Sequence, residues 1–226
     1  DLPIDDPRVQ AGTPLHGPNR YPAHPAPLPP AVEAWLAATI TLVHAIVRGL
    51  GLALGLGPCW FDEHLTDDPT VLARIFRYPG GAGAERRWGV AEHTDYGLLT
   101  MLAVDGNPGL EVRTGDSWLA VPDVPGALVV NLGDMVEAMT GGRYRSTPHR
   151  VTLAAGRPGG DRLSFPLFFD PAWTARVAPL PLDHLEPATT AQAQRWDGTP
   201  VDRWEGLYGD YLTAKVARVF PALFDE

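Results

Sequence analysis

The pattern of hydrophobic and polar positions predicts an extended segment followed by two helices in the N-terminal part of the chain. Residues 1–30 are rich in proline and show no hydrophobic period, so we predict an extended segment there. Over residues 31–50, apolar side chains recur at intervals near 3.6 residues, which predicts a long helix. The glycines at positions 49, 51, 55 and 57 are expected to end this helix. A second, short helix is predicted from Phe61 to Leu65.

From about residue 71 the pattern changes to short apolar or alternating runs, separated by turns rich in glycine and proline. Runs bounded in this way are typical of β-strands. We predict eight strands: Leu72–Tyr78, Trp88–His93, Leu98–Val104, Leu110–Arg113, Trp118–Val121, Ala127–Leu132, His149–Ala154 and Arg162–Phe169. Eight short strands at this spacing indicate an all-β sandwich or barrel.

The C-terminal part returns to a helical pattern after a stretch without periodicity. Residues 175–200 are predicted to form a long loop, and the apolar positions from Trp204 to Phe220 predict a closing helix. We therefore expect a single domain over residues 1–226. It would comprise an N-terminal extended segment with helices (1–70), a β core (71–174) and a C-terminal loop with a helix (175–226).

Composition and charge exclude several classes of protein. Of the 226 residues, 45% are hydrophobic and 20% are charged, as in ordinary globular domains. The formal net charge is −9, with 18 basic against 27 acidic residues, whereas a nucleic-acid-binding protein would carry a basic stripe. The most apolar stretch, Ile40 to Leu56, is interrupted by His44 and Arg48. We therefore expect no membrane span, which would need about 20 apolar residues.

Cysteine usage and the first residues bear on cellular location. Cys59 is the single cysteine, so the chain cannot form an internal disulfide, and no signal peptide is visible at its start. We expect a cytoplasmic protein. The abundance of Ala, Gly, Pro and Arg with few Lys is typical of GC-rich bacterial genomes.

The central chemical signal is the run His93-Thr94-Asp95 at the end of a predicted strand. Residues two apart on a strand project from the same face, so His93 and Asp95 could grip one ion. His149 lies at the start of another predicted strand and could supply a third ligand. Two histidines and one carboxylate form the facial triad of non-haem iron(II) oxygenases. Taken alone, a His-x-Asp pair is also compatible with two surface polar residues.

A second pair of polar residues, Arg162 and Ser164, stands in an otherwise apolar run. They too share a strand face. A buried arginine needs a counter-charge, and guanidinium pairs with carboxylate through two parallel hydrogen bonds. A dicarboxylic co-substrate that binds the metal at one end would supply that charge at the other. An internal salt bridge from Arg162 to an Asp or Glu is the alternative.

These residues stand within longer motifs that follow one another in a fixed order. The motifs are His93-Thr94-Asp95-Tyr96-Gly97-Leu98-Leu99-Thr100, Val130-Asn131-Leu132-Gly133-Asp134, Gly142-Arg143-Tyr144-Arg145-Ser146-Thr147-Pro148-His149-Arg150-Val151 and Arg162-Leu163-Ser164-Phe165-Pro166. The ordered set resembles the isopenicillin N synthase-like family of 2-oxoglutarate- and iron(II)-dependent dioxygenases. The resemblance implies a mainly β fold with flanking helices and a double-stranded β-helix (jelly-roll) core. It also implies that the N-terminal part of the family fold is missing here.

The resemblance assigns a role to each candidate residue, and it leaves Asn131, Gly133 and Asp134 as a structural strand end and turn. The iron ligands would be His93, Asp95 and His149, while Arg162 and Ser164 would bind the distal carboxylate of 2-oxoglutarate. Tyr78 matches a tyrosine that commonly contacts this co-substrate, although a half-buried strand tyrosine would fit equally. Phe168 matches an aromatic residue that often packs against the substrate, and core packing is the alternative.

The expected activity is that of an enzyme using Fe(II), 2-oxoglutarate and O2 to hydroxylate, desaturate or cyclise a small organic molecule, in bacterial secondary metabolism. Neither nucleic acid nor membrane is expected as a partner, and the oligomeric state is open. One alternative is an iron oxidase of the same family that uses no 2-oxoglutarate. A metal-binding module without catalysis is another. A zinc hydrolase is a third, although no further carboxylate stands out as its general base.

Overall fold

Two large antiparallel sheets, flanked by helices, dominate the described part of the chain. The computed structural model describes residues 2–80, 87–153, 161–186, 189, 195–196, 201 and 204–221, and only the backbone at positions 87 and 88. The helices are α1 (Pro7–Gln10), α2 (Leu28–Ala53), α3 (Trp60–His64), α4 (Asp134–Met139) and α5 (Tyr208–Val219). The strands are β1 (Pro69–Ala73), β2 (Phe76–Tyr78), β3 (Arg87–His93), β4 (Leu99–Val104), β5 (Leu110–Thr114), β6 (Ser117–Ala120), β7 (Val129–Leu132), β8 (His149–Leu153), β9 (Arg162–Ala172), β10 (Arg176–Val177) and β11 (Gly206–Leu207).

The chain crosses repeatedly between the two large sheets as it runs from β1 to β9. The first sheet has the order β1-β9-β4-β7, with β2 also paired to β9, and the second has the order β3-β8-β5-β6. All the pairings within them are antiparallel. This is the strand order of a double-stranded β-helix, so the predicted jelly-roll core with flanking helices is confirmed. Strands β10 and β11 pair separately.

Strand β9 separates two packed regions, because its successive side chains point to opposite faces of the sheet. Leu167 and Phe169 are fully buried on the outer face, in the core cluster that includes α2. Arg162 and Ser164 point the other way. Tyr78, which pairs with Arg162, belongs to a second apolar cluster that joins the two sheets. Arg162 and Ser164 of β9 therefore face the space between the sheets.

Helix α2 extends beyond the predicted range of residues 31–50 at both ends. It begins three residues earlier and continues through Gly49 and Gly51 to Ala53, so the expectation that these two glycines end it was wrong. Gly55, with a φ of +70°, follows the C-cap Leu54 and does mark the end of the helix. The position of Gly51 has a packing reason: a Cβ atom there would lie 2.4 Å from the carbonyl oxygen of Gly57. Because Gly51 has no side chain, the loop at Gly57 can pack directly against the helix backbone.

By length and composition, α2 would also pass for a membrane span, contrary to the expectation from its interrupted apolar pattern. A core helix of a globular domain passes the same test. Here Val43 and Val47 lie fully buried on one side of the helix and pack in the main core.

Alanine at Gly49 and at Gly51 should change stability in opposite directions. A Cβ atom at Gly49 would meet nothing within 4 Å, so Gly49→Ala should raise the free energy of unfolding by about 0.5–1 kcal/mol through its helix propensity. Gly51→Ala should lower it by about 1–3 kcal/mol, because the new methyl group must displace the Gly57 carbonyl. Urea unfolding of both variants measures this. If the two variants were equally stable, the loop at Gly57 would move aside at no cost, and the packing role of Gly51 would be contradicted.

The observed elements differ from the predicted ones at several other places. The predicted strand Leu72–Tyr78 is divided into β1 and β2, and opposite the break β9 contains Pro166, which offers no N–H to the ladder. Helix α4 was not predicted because all its residues are buried, so no amphipathic period is visible. The closing helix begins at Tyr208, after β11. The N-terminal segment contains α1, and part of the predicted loop over residues 175–200 lies outside the described residues.

Candidate metal centre

The structure brings together the three side chains that the sequence predicts as metal ligands. His93 ends β3 and faces His149, which begins β8, in an antiparallel pair. Asp95 follows two residues after β3. The candidate ligand atoms of the three residues all lie within 4.8 Å of one another. The Oδ1 atom of Asp95 lies 3.9 Å from Nε2 of His93 and 3.7 Å from Nε2 of His149.

Hydrogen bonds to the backbone orient both imidazole rings. Nδ1 of His93 lies 2.8 Å from the carbonyl oxygen of Ala91, and Nδ1 of His149 lies 3.0 Å from that of Thr147. A carbonyl can only accept, so Nδ1 carries the proton and Nε2 keeps its lone pair for a metal. Burial of the ring, together with the charge of His149, lowers the pKa of His93 and favours this neutral form.

Asp95 is held through its side chain and through its backbone. Asn131, on β7, donates from Nδ2 to Oδ2 of Asp95 at 3.4 Å, so this asparagine does more than end a strand. The backbone N–H of Asp134 donates to the carbonyl oxygen of Asp95 at 2.7 Å. This bond attaches the start of α4 to residues 93–98, which we call the ligand segment. We expected a turn at Asp134, but this residue is the first of helix α4. Both contacts leave Oδ1 directed toward the two histidines.

The cluster is buried on one side and open on the other. The side chains of Asp95 and His149 are 6% and 8% exposed, whereas that of His93 is 40% exposed. Two imidazole nitrogens and one carboxylate oxygen are the donor set of the iron(II) facial triad, which leaves three adjacent coordination positions for other molecules. The opening beside His93 gives small molecules access to those positions.

Arg162 lies deep between the sheets, at the first residue of β9. It is 3% exposed, and its Nε atom donates to the carbonyl oxygen of Asn107 at 3.2 Å. Its Nη1 atom is buried and has no hydrogen-bond partner among the described residues. It forms no ion pair with a carboxylate in the described part of the chain, so the alternative of an internal salt bridge is not seen there. Burial lowers the pKa of this guanidinium, and a bound anion would offset that cost.

The remaining predicted site residues surround Arg162 or lie further along β9. Ser164 is buried, and Tyr78 is 8% exposed with its ring centroid 5.3 Å from the Arg162 guanidinium carbon. The Tyr78 ring also fills the space that a side chain at Gly89 would need. Phe168 is half-buried and lies opposite Thr100 of β4. Its contact with a substrate stays a prediction.

A supporting contact behind the ligand segment was not predicted. Gly97 follows Asp95 by two residues, and a Cβ atom there would lie 1.3 Å from Oδ1 of Asp170. The same Oδ1 accepts from the backbone N–H of Leu98 at 3.2 Å, and Oδ2 accepts from the Tyr208 hydroxyl at 2.6 Å. Asp170 therefore supports the turn after the ligands from inside the core. A lone aspartate within the apolar run of β9 is the sequence signal that could have found it.

Asp170 makes the stability of the protein depend on pH. Burial raises its pKa from 3.8 to about 7, against the opposing hydrogen bonds from Tyr208 and Leu98. The native state thus keeps a proton that the unfolded chain has released. The stabilisation is full below pH 3.8 and falls by about 1.4 kcal/mol per pH unit until pH reaches about 7.

Asp170→Asn removes this titration while keeping both contacts, because the amide oxygen can accept from Leu98 and the amide nitrogen can donate to Tyr208. The difference in free energy of unfolding between the variant and the wild type should grow by about 3–4 kcal/mol, in favour of the variant, from pH 4 to pH 7.5. Urea unfolding across this range measures it. Parallel pH profiles of the two proteins would contradict the assignment.

The sequence of this chain is similar to a known protein family and to several characterised or named proteins. A sequence profile described as the 2OG-Fe(II) oxygenase superfamily matches residues 67–171. A Dictyostelium discoideum protein described as a probable iron/ascorbate oxidoreductase is 37% identical, over 99% of this chain and 67% of its own length. A 1-aminocyclopropane-1-carboxylate oxidase of Dictyostelium mucoroides is 30% identical over 84% of this chain.

A solved structure is similar as well. It is that of JOX2 in complex with 2OG, Fe and JA, with a TM-score of 0.71 and 26% sequence identity over 86% of this chain. The chain spans 59% of the length of the Dictyostelium mucoroides enzyme and 54% of that of JOX2.

Proposed function

Because the chain belongs to the 2OG-Fe(II) oxygenase superfamily, we propose that it is an iron(II)- and 2-oxoglutarate-dependent dioxygenase that oxidises a small organic molecule. The observation that carries the proposal is the combination of two features in one interior space. The first is the cluster of His93, Asp95 and His149. The second is the buried Arg162, whose Nη1 atom lacks a hydrogen-bond partner among the described residues.

The residues present fit the iron ion and the co-substrate. Nitrogen and oxygen donors in a two-histidine, one-carboxylate set suit iron(II). The N–H of Arg162 that lacks a partner among the described residues suits a carboxylate, since guanidinium and carboxylate form strong charge-assisted hydrogen bonds. His93, Asp95 and His149 would hold the iron, and Arg162 with Ser164 would hold the distal carboxylate of 2-oxoglutarate. When bound, the iron and 2-oxoglutarate would supply the activation of O2.

The chain's own contribution is orientation and the exclusion of water. The bonds from Nδ1 to backbone carbonyls fix both imidazoles before a ligand arrives, so no reorganisation is needed on binding. Leu110 and Val151 of the second sheet pack with Tyr78 of the first and give the interior apolar walls. Such walls strengthen the charge pairing of Arg162 with an anion, because they exclude water from it.

Two other functions remain candidates. The similarity to 1-aminocyclopropane-1-carboxylate oxidase favours an iron oxidase that uses no 2-oxoglutarate, in which Arg162 would bind the carboxylate of another molecule. A metal-binding module without catalysis is the other. A substrate from bacterial secondary metabolism and a cytoplasmic location stay predictions.

The test is a coupled measurement of O2 uptake and succinate formation. The purified protein is loaded anaerobically with Fe(II), and a panel of small organic acids and aromatic compounds is supplied with and without 2-oxoglutarate. We expect succinate only when Fe(II) and 2-oxoglutarate are both present, with more O2 consumed when a substrate is included. Product formation without 2-oxoglutarate would favour the oxidase. Iron binding with no O2 uptake across the panel would favour the non-catalytic module.

A further inference from the structure

Two buried carboxylates lie close together on α4, directly behind the ligand segment. The side chain of Asp134 is 9% exposed and that of Glu137 is 1% exposed. Burial raises the pKa of Glu137; the charge of Arg195 opposes this shift, and the charge of Asp134 adds to it. Two carboxylates in this position need a shared cation, because an unpaired buried charge is costly.

Arg195 supplies that cation from a distant part of the sequence. Its Nη1 atom lies 2.7 Å from Oε2 of Glu137, and its Nη2 atom donates to Oδ1 of Asp134 at 3.0 Å. The same Nη2 lies 3.4 Å from the hydroxyl oxygen of Thr94. Thr94 stands between the two candidate ligands of the first motif, 101 residues away in the chain. One guanidinium thus contacts both carboxylates of α4 and the ligand segment itself.

We propose that Arg195 is a positioning residue for the metal centre, an inference that rests on the proposed function. Its guanidinium binds both α4 and the ligand segment and so fixes their relative position. Two connections transmit its position: the contact with Thr94, and the hydrogen bond from the backbone of Asp134 to the carbonyl of Asp95. Arg195 would therefore act on the metal through these two connections and not as a ligand.

The geometry explains why an arginine occupies this position. A guanidinium is planar and presents several N–H groups in fixed directions, so it can donate to Asp134 and Thr94 while its charge lies beside Glu137. The ammonium of a lysine is a single point charge and cannot span the same acceptors in one geometry. Lys215 illustrates this, because its Nζ atom lies 3.8 Å from the other oxygen of Asp134 and does not reach Glu137.

Loss of Arg195 leaves Asp134 and Glu137 without their shared partner. A proton on Glu137, entry of water or a shift of α4 must then relieve the repulsion between the two carboxylates, and the start of α4 is bonded to Asp95. Contacts that orient metal ligands typically contribute about 10–100-fold in metal affinity. We therefore expect Arg195→Gln to weaken metal binding by about that factor.

The experiment measures the affinity of the apoprotein for Co(II), by absorbance or by calorimetry, so that no turnover is required. The variants are Arg195→Gln and Arg195→Lys, with Gly51→Ala as a control that is destabilised at a site remote from the metal. Thermal unfolding of each apoprotein is recorded in parallel. We expect the Kd for Co(II) to rise about 10–100-fold for Arg195→Gln, less for Arg195→Lys and less than about twofold for Gly51→Ala.

The inference is overturned if Arg195→Gln binds Co(II) as tightly as the wild type, or loses no more affinity than Gly51→Ala. If Arg195→Gln does not fold, the comparison of Arg195→Lys with Gly51→Ala decides in the same way. Failure of the wild type itself to bind Co(II) would instead overturn the proposed metal centre. The two failures are therefore distinguishable.

Discussion

Asp95→Ala should abolish the Fe(II)-dependent conversion of 2-oxoglutarate to succinate. Removing a contact that only orients a ligand typically costs about 10–100-fold, so removing the only carboxylate of the cluster should cost more than about 100-fold. The two imidazoles that remain cannot hold iron(II) against water, because the charge and one of the three donors are lost. Succinate formation and bound iron per chain are the two measurements. His93→Ala should give the same result.

The matched control for these variants is a histidine outside the cluster. His64 is exposed on α3, where its Nδ1 atom bonds to the carbonyl of Trp60. His64→Ala should retain iron binding and succinate formation within about twofold of the wild type, as is usual for exposed positions. Undiminished succinate formation by Asp95→Ala or His93→Ala would remove the basis of the proposed function.

The second large effect concerns 2-oxoglutarate itself. Arg162→Met should raise the KM for 2-oxoglutarate about 10–100-fold, because one hydrogen bond to a charged group is typically worth about 1.5–3 kcal/mol. The stability of the protein without 2-oxoglutarate should change by less than about 1 kcal/mol. A buried cation whose N–H has no partner in the described part of the chain adds little stability, and an apolar side chain of similar length can replace it at little cost.

Arg77 provides a control on the neighbouring strand. It precedes Tyr78 on β2, and its side chain is exposed and pairs with Asp161. Arg77→Met should leave the KM for 2-oxoglutarate within about twofold of the wild type, since exposed ion pairs contribute little. A KM for Arg162→Met within about threefold of the wild-type value would refute the role of this arginine. A large loss of stability in the same variant would point to a structural role instead.

The features that could be predicted from the sequence depend on short-range patterns. Alternation and turn residues located the strands, since side chains on a strand repeat every two residues. The spacing of His93 and Asp95 is such a repeat, and so is that of Arg162 and Ser164. The pairing of His149 with His93 could be inferred only because one ion needs three ligands. The metal-binding and co-substrate-binding roles of these residues stay predictions.

The features that were missed depend on contacts between distant segments. Helix α4 has no exposed face, so its sequence carries no helical period. Asp170 touches the ligand segment from 72 residues away, and Arg195 does so from 101 residues away. No local rule in the sequence links such pairs. Gly51 caused the opposite error, because a local rule predicted that it ends α2. The helix continues through it, and the missing side chain allows close packing of the loop at Gly57.

The contact between Gly97 and Asp170 restricts the order in which the two positions can change during evolution. Any side chain at position 97 would collide with the carboxyl group while Asp170 is present. Replacing Asp170 by a smaller residue first would open the space, and only then would Gly97→Ala be tolerated. The two substitutions should therefore show strong epistasis: alanine at 97 is harmful in the wild-type background and much less so beside a glycine at 170. A lineage that has lost this aspartate is free to vary the turn after its metal ligands, whereas one that keeps it is not.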